Sequence, residues 1–157
     1  MRLLIFLFGM VITLGVSGQV RSIPDFSLKR MDNGAAVTGQ SVPTGKKTLF
    51  VFFDTECPHC MMAITEFNEK HKQLDNISIY LITKDPKDEV MGFLKNFGPQ
   101  LIAKKNCVLL SDTQNQFIGK FLPKKYPSIF LFAANRQLLI YTDEEKEIPV
   151  VLNKIKS

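Results

Sequence analysis

The chain has 157 residues, of which 45% are hydrophobic and 22% charged, and its formal net charge at pH 7 is +5. This length and composition are those of one globular domain, and they exclude a disordered or fibrous chain. The lysine pairs are scattered and no aromatic residues interleave with them, so the mild positive charge does not indicate binding to nucleic acid.

The amino-terminal segment has the anatomy of an export signal. One cation, Arg2, precedes a largely apolar run at 3–16, and small residues follow, with Val16 and Gly18 at the −3 and −1 positions of a cleavage site. We therefore predict that residues 1–18 are a cleaved signal and that residues 19–157 form one exported, periplasmic domain. The alternative is an uncleaved membrane anchor, because the run is only slightly shorter than the roughly 18–20 residues of a membrane span.

Residues 23–38 are expected to form a small leading hairpin. Asn33 and Gly34 separate two short segments of mixed polarity, and an Asn-Gly pair readily adopts the positive φ angles of a tight turn. Four later runs rich in apolar residues are predicted strands: 48–53, 77–83, 128–132 and 137–141. The first two are expected to be central and covered on both faces, and the last two to form an antiparallel pair joined at Ala134 and Asn135.

Apolar periodicity places a helix between the first two central strands. Positions spaced by four, three, four and three residues form one amphipathic stripe: Cys60, Ile64, Phe67, His71 and Leu74. Strand, helix and strand in this order imply a parallel crossover, and hence an alternating α/β domain.

Two more helices are predicted before the antiparallel pair. One covers 87–97 and ends at Gly98 and Pro99. A shorter one follows a strand at 107–110 and is capped by Asp112. The apolar face of the shorter helix consists of Phe117, Ile118 and Phe121.

The end of the chain is acidic after Tyr141 and then amphipathic. Its apolar positions predict one or two final helical turns with Val150, Val151 and Ile155 on the buried side.

Two of the three cysteines, Cys57 and Cys60, stand three positions apart where a predicted strand meets a predicted helix. Cys57 is therefore expected at the helix amino terminus, where unpaired N–H groups and the positive end of the dipole favour a thiolate. Pro58 suits the first turn because its missing donor is not needed there. The spacing lets Cys60 reach back to Cys57 across one turn, so a disulfide between them closes and opens easily.

The residues around the pair are expected to tune its chemistry. His59 supplies a donor or a cation beside the thiolate, whereas Asp54 and Glu56 oppose the thiolate if they lie close to the sulfur. A stabilised thiolate makes Cys57 a better leaving group and shifts the pair toward an oxidant. The sequence leaves this balance open, and with it the direction of electron flow.

Three other interpretations of the pair are a structural disulfide, a zinc site and two inert core thiols. A structural zinc needs four ligands, and the remaining candidates are Cys107, His59 and His71, without a second close pair. The position between strand and helix favours a redox pair, and we expect no metal and no bound cofactor.

The segments around the pair are similar to those of a known superfamily. Residues 23–34, 46–60, 77–85, 108–112 and 126–132 resemble the thioredoxin-like superfamily, specifically its exported TlpA-like branch (redoxin, AhpC/TSA-related). The resemblance covers about residues 23–141. It implies a thioredoxin-like fold: a central mixed sheet flanked by helices, an amino-terminal hairpin, and an inserted helix and strand before Pro127.

The same resemblance implies how the site works. Cys57 forms a mixed disulfide with the partner and Cys60 resolves it. Pro127 is cis and lies against the cysteine pair, and the backbone of Tyr126 pairs with an extended partner segment. X-Pro bonds are those in which the cis form is only mildly unfavourable.

Several positions depart from the superfamily pattern. Val51 stands where thioredoxins have a buried aspartate, and Ala63 where TlpA-like reductases often have a glutamate, so the proton acceptor for Cys60 is not identified. Glu56 replaces a frequent tryptophan, and the Pro58-His59 dipeptide resembles that of DsbA-type oxidases.

The third cysteine, Cys107, is expected to be a small buried hydrophobic residue rather than a resolving thiol. A peroxidase would place a proline seven and a threonine three residues before its reactive cysteine. Those positions are Phe50 and Asp54, which counts against a peroxidase.

These observations predict an exported thiol:disulfide oxidoreductase that acts through Cys57 and Cys60 as a monomer. Its expected partners are protein dithiols or disulfides, with a membrane electron donor or acceptor as a further candidate. The alternative is a non-catalytic binding module or a metal-binding chaperone of the same fold, which the missing carboxylates at Val51 and Ala63 favour.

Overall fold

The computed structural model describes Gly18 and residues 20–157, so the predicted signal, apart from Gly18, lies outside the described residues. The strands are β1 Ser27–Arg30, β2 Ala36–Thr38, β3 Thr48–Phe52, β4 Ser78–Thr83, β5 Cys107–Ser111, β6 Ser128–Phe132 and β7 Leu138–Thr142. The helices are α1 Pro58–Glu69, α2 Lys87–Phe97, α3 Pro99–Ile102, α4 Gln116–Phe121 and α5 Ile148–Lys156. Within the described part of the chain, no helix combines the length and the apolar character needed to span a membrane.

All seven strands form one mixed sheet in the order β2-β1-β5-β4-β3-β6-β7. β3, β4 and β5 are parallel, and β6, β7, β1 and β2 pair antiparallel to their neighbours. The leading hairpin is β1–β2, and the insertion between β4 and β6 contains α2, α3, β5 and α4. The expected α/β class, with its central mixed sheet, hairpin and insertion, is therefore confirmed.

The side chains of β3 alternate between two hydrophobic cores, because successive residues of a strand point to opposite faces. Leu49, Val51 and Phe53 pack with α1, α2 and α5 on one face. Phe50 and Phe52 join an aromatic cluster on the other face, which α4 and the amino-terminal segment cover. Every residue of β3 is buried, as expected for a central strand.

The aromatic cluster is built around Phe50. Its ring stacks on Tyr80 with centroids 5.0 Å apart and lies 5.2 Å from the ring of Phe121. The rings of Phe117 and Phe121 in α4 stack at 4.0 Å. Each such aromatic pair stabilises a core by about 0.5–1.5 kcal/mol beyond the area it buries. The cluster thus holds the short helix α4, which has few backbone hydrogen bonds of its own, against the sheet.

The hairpin forms at the expected place, but only Gly34 of the Asn-Gly pair has a positive φ, +74°. The N–H of Gly34 donates to the carbonyl of Arg30 at 3.0 Å, which closes a wider turn than the two-residue one that we expected. Asn33 instead accepts a hydrogen bond from Ala35 N at its side chain, so it needs no left-handed conformation.

The stripe from Cys60 to Leu74 does not belong to a single helix. α1 ends at Glu69, and a 3₁₀ turn, His71–Leu74, follows it. Leu74 is nevertheless buried, because a 3₁₀ turn also returns a side chain to the same face after three residues. A short helix, α3, likewise starts directly after Gly98, where we expected only a stop.

The predicted cap of α4 is confirmed. The carboxylate of Asp112 accepts hydrogen bonds from the N–H groups of Gln116 at 2.7 Å and Phe117 at 3.0 Å. These are two of the donors that the first helical turn leaves without partners.

The final helix is longer than predicted, and Val150 is on its outer side, 58% exposed. Because α5 begins at Ile148, its inward face follows the helical period through Ile148, Val151, Leu152 and Ile155.

Candidate functional site

The cysteine pair lies at the junction of β3 and α1, as predicted. Cys57 is the residue that caps α1, and the N–H of Cys60 donates to the sulfur of Cys57 at 3.4 Å. Pro58 occupies the first helical position, where its missing donor is not needed. The N–H of Cys60 also donates to the carbonyl of Cys57 at 3.0 Å, so the sulfur shares this donor of the first helical turn.

The loop that carries Cys57 is fastened to the neighbouring strand. The N–H of Thr55 donates to Oδ2 of Asp85 at 2.7 Å, and the hydroxyl of Thr83 donates to the same oxygen at 3.0 Å. The carboxylate of Asp54 accepts from the N–H of Glu56 at 2.9 Å, which tightens the loop further. These contacts hold the approach to Cys57 in one conformation.

The two cysteines differ in access. Cys57 is half-buried, whereas Cys60 has no exposed surface. Burial is the main cause that raises the pKa of the Cys60 thiol above its usual range, and the neighbouring sulfur of Cys57 and the charge of Asp54 raise it further. A hydrogen bond from the backbone of Asp54 acts in the opposite direction. Solvent can thus reach Cys57 but not Cys60.

Tyr126 and Pro127 lie against the pair. Their peptide bond is cis, as the resemblance implies, and the thiol of Cys57 donates to the carbonyl of Tyr126 at 3.8 Å. The Tyr126 ring packs on Phe52 with centroids 4.8 Å apart. Burial, followed by the negative charge of Asp54 and other acidic neighbours, raises the pKa of Tyr126 to about 12. The phenol therefore stays neutral beside the pair.

His59 has a carboxylate as its partner. Its side chain is 61% exposed, and Nδ1 lies 3.2 Å from Oε1 of Glu145, in the acidic segment before α5. The hydrogen bond of His59 is thus with a carboxylate, and a cation on this ring would be partly neutralised by it.

Three aspartates follow the carboxyl ends of the three parallel strands. Asp54 comes after β3, Asp85 after β4 and Asp112 after β5. Parallel strands end at the same edge of the sheet, so their negative charges meet near the cysteine pair. Sequence reasoning considered only Asp54 and Asp112, and neither Asp85 nor Glu145 was recognised. A threonine and an aspartate two residues apart after a buried strand are the signal that points to Asp85.

The positions where relatives carry a carboxylate are fully apolar here. Val51 and Ala63 both have no exposed surface and pack in the core on the α1 side of the sheet. Neither side chain can therefore accept a proton from Cys60.

Cys107 lies at the opposite end of the sheet from Cys57. It pairs with Ile79, which pairs with Leu49, five residues before Asp54. At about 3.3 Å per residue this is roughly 16 Å, whereas the Cα atoms of a disulfide are less than about 7 Å apart. Cys107 is half-buried rather than fully buried, and loss of solvation raises its pKa to about 12. It is not placed to pair with Cys57.

Metal ligands are not assembled around the pair. In the described part of the chain, no three His, Cys, Asp or Glu side chains are grouped so that they could hold a metal ion.

Comparison with known proteins locates this arrangement in a family. The model of the AhpC/TSA family matches residues 20–144. No curated protein matches the chain.

Solved structures share the fold at low sequence identity. A thioredoxin-like protein from Aeropyrum pernix is 16% identical with a TM-score of 0.67, over 83% of this chain and 89% of that one. A secreted disulfide oxidoreductase of Mycobacterium tuberculosis, homologous to E. coli DsbE, is 14% identical with a TM-score of 0.66, over 82% and 95%. The peroxidoxin BcpB of the same organism is 17% identical with a TM-score of 0.68, over 88% and 96%. The family match covers most of the chain, and these neighbours agree in fold: the protein belongs to the AhpC/TSA family and has a thioredoxin-like fold.

Proposed function

We propose that the protein is an exported thiol:disulfide oxidoreductase that exchanges disulfides with protein partners through Cys57 and Cys60. The observation that carries this proposal is the pairing of a reachable sulfur with an enclosed one: Cys57 caps α1 and touches the Tyr126 carbonyl, and Cys60 lies buried beneath it. A structural disulfide needs no such difference in access, whereas an exchange reaction does.

In the reducing direction, the thiolate of Cys57 attacks one sulfur of the partner disulfide. A Cys57–partner bond forms, and the other partner sulfur leaves as a thiolate. Cys60 then loses its proton and attacks the sulfur of Cys57, which releases the second partner sulfur and forms the Cys57–Cys60 disulfide. The pair gives up two electrons and the partner disulfide gains them. The oxidising direction is the same sequence in reverse.

Asp54 is the group that we assign to receive the proton of Cys60. Besides burial, the charge of its carboxylate acts on the Cys60 thiol and helps to raise the pKa of that thiol. The carboxylate is oriented by the hydrogen bond from Glu56 N. It would take the place of the carboxylates that are absent at Val51 and Ala63.

The partner segment is proposed to lie in extended form along Tyr126 and Pro127. The Tyr126 carbonyl already faces the sulfur of Cys57, and Pro127, buried and joined to Tyr126 by a cis bond, fixes the direction of the chain there. Pro58 and His59 form the exposed side of the same approach.

The acidic surroundings favour the reducing direction. Besides burial, the charge of Asp54 helps to raise the pKa of the Cys60 thiol, which leaves the pair less stabilised as a thiolate, and His59 pairs with Glu145. An oxidant of the DsbA type depends on a strongly stabilised thiolate. Export to the periplasm rests on the sequence of residues 1–18 and remains part of the proposal.

Three single variants test the proposal, in an insulin-type disulfide reduction assay with a thiol reductant as electron source. Cys57→Ser should abolish turnover, Cys60→Ser should accumulate a partner-linked mixed disulfide, and Cys107→Ser should behave as wild type. Turnover by Cys57→Ser, or loss of turnover in Cys107→Ser alone, would overturn it. If the wild type shows no exchange but binds a metal that Cys57→Ser does not bind, the protein is instead a binding module.

A further inference from the structure

Exposed cations gather at the end of the sheet opposite Cys57. Lys46 precedes β3, Lys72 lies in the turn before β4, and Lys154 and Lys156 end α5. Together with Arg21, these four lysines are named here the basic end. Lys46, Lys72 and Lys156 line one groove of about 560 Å³, so they form a continuous surface.

The charge of the basic end is not neutralised by neighbouring carboxylates. In the part of the chain that the structure describes, none of its five cations takes part in an ion pair. Asp75, three residues after Lys72, is affected by the charge of that lysine but forms its salt bridge with Lys104. A partner that binds here must therefore supply negative charge.

The polypeptide enters the domain at the same end. The carbonyl of Arg21 accepts a hydrogen bond from Leu138 N at 2.8 Å, and Ile23 N donates to the Arg136 carbonyl at 3.1 Å. The turn between β6 and β7 also accepts a hydrogen bond from Gly45 N, next to Lys46. Residues 21–23 thus lie beside the basic end.

The apolar run of the sequence is only a short distance away along the chain. It ends at Val16, five residues before Arg21. Five residues span at most about 18 Å when fully extended. Where residues 1–18 are retained as the membrane anchor considered above, a bilayer that holds residues 3–16 lies close to the basic end, and not near Cys57.

We propose that the basic end is a docking surface for an anionic lipid bilayer. Lysine and arginine side chains near a negatively charged membrane each gain roughly 1 kcal/mol of binding free energy, which corresponds to about fivefold in affinity. The attraction decays over a Debye length of about 8–10 Å. From Thr48 to Asp54 the chain rises roughly 20 Å, so the acidic groups around Cys57 lie outside this range and oppose docking little.

Docking in this orientation turns Cys57 away from the lipid and toward soluble proteins. The inference rests on the charges and on the chain entry alone, and it stands whether or not the cysteine pair is redox-active.

The test compares binding of the full chain to two kinds of vesicle, phosphatidylcholine alone and phosphatidylcholine mixed with phosphatidylglycerol. Binding through the apolar run is common to both kinds, so the ratio of the two affinities isolates the charge effect. The test variant is Lys46→Glu with Lys72→Glu and Lys156→Glu. The control is Lys84→Glu with Lys87→Glu and Lys124→Glu, which makes the same change in net charge at the other end with lysines that are also exposed.

For the wild type, affinity for anionic vesicles should exceed that for neutral ones by at least about tenfold at low salt, and the excess should shrink as salt rises. The test variant should lose this excess, while the control keeps it within about twofold. A wild-type ratio near one, or an equal loss in both variants, would overturn the proposal. The salt titration of the wild type decides the matter independently if the test variant is unstable.

Discussion

The two ends of the central sheet are made by the same strands but differ in charge and in chemistry. At the carboxyl end of β3, β4 and β5, aspartates follow the strands and a cysteine pair follows β3, whereas at the amino end lysines line a groove. The helix dipole stabilises acidic groups near helix amino termini and basic groups near helix carboxyl termini. Charge alone therefore does not identify a reaction site. The carboxyl end differs because the carboxylates of Asp85 and Asp54 accept hydrogen bonds from the N–H groups of Thr55 and Glu56, in the loop that carries Cys57.

Among substitutions of charged residues at either end of the sheet, one at Asp54 should change the rate of disulfide exchange most. Asp54→Asn keeps the hydrogen bond with Glu56 N but removes the proposed proton acceptor of Cys60, so resolution of the mixed disulfide should slow by roughly 10²-fold at neutral pH. The deficit should shrink at alkaline pH, where solvent base can take the proton. Stopped-flow measurement of partner release reports this step. Glu56→Gln is the matched control, and an equal effect there would show a general charge effect.

Asp85→Ala should have the next largest effect. It leaves the N–H of Thr55 and the hydroxyl of Thr83 without their acceptor, at a cost of about 1–3 kcal/mol in the free energy of unfolding, and it loosens the loop that carries Cys57. Denaturant unfolding measures the first effect and the disulfide exchange rate the second. Asp88→Ala, an exposed aspartate in the first turn of α2, should change both much less.

A substitution of Lys47, which lines the groove of the basic end, tests a stabilising contact there as Asp85→Ala does near Cys57. Its Nζ donates to the carbonyls of Lys154 and Ile155 at 2.9 and 3.0 Å, which caps α5. Lys47→Met should lower the free energy of unfolding by about 1 kcal/mol and leave disulfide exchange unchanged. Lys46→Met, its exposed neighbour, serves as the control. A slower exchange in Lys47→Met would mean that the two ends are not independent.

The smallest effect concerns Cys107, and it should appear only at alkaline pH. The pKa of its thiol is raised from 9.0 to about 12 in the folded state, so the unfolded chain ionises first as pH rises. This thiol therefore contributes stability below pH 9 that is progressively lost between pH 9 and about 12. In Cys107→Ala the fall in the unfolding free energy over this range should be shallower, as pH-dependent denaturant melts would show.

Much of the structure at the carboxyl end of the sheet was predictable, because it depends on residues that are close together in the sequence. The burial of β3, the position of Cys57 at the start of α1 and the cap by Asp112 all follow from neighbouring residues. The end of α1 was predicted wrongly because a 3₁₀ turn continues the apolar spacing of a helix through Leu74. The resemblance to a known superfamily, and not the residues alone, indicated the cis bond before Pro127.

The remaining features depend on contacts between distant segments. Asp85 reaches Thr55 only because β3 and β4 pair in one particular register, and His59 meets Glu145 only because the chain returns beside α1 before α5. Neither contact has a pattern within one segment. The grouping of Lys46, Lys72 and Lys156 likewise arises from three separate loops at one end of the sheet.

The most direct test of the central claim is a redox titration of the full chain in glutathione buffers, with alkylation and mass spectrometry to identify each thiol. The account predicts one two-electron transition in which Cys57 and Cys60 are oxidised together while Cys107 remains a thiol. Its potential should lie nearer to the roughly −270 mV of thioredoxin than to the roughly −120 mV of DsbA. A titration in which Cys57 and Cys60 never join, or in which Cys107 takes the place of either, would contradict the account.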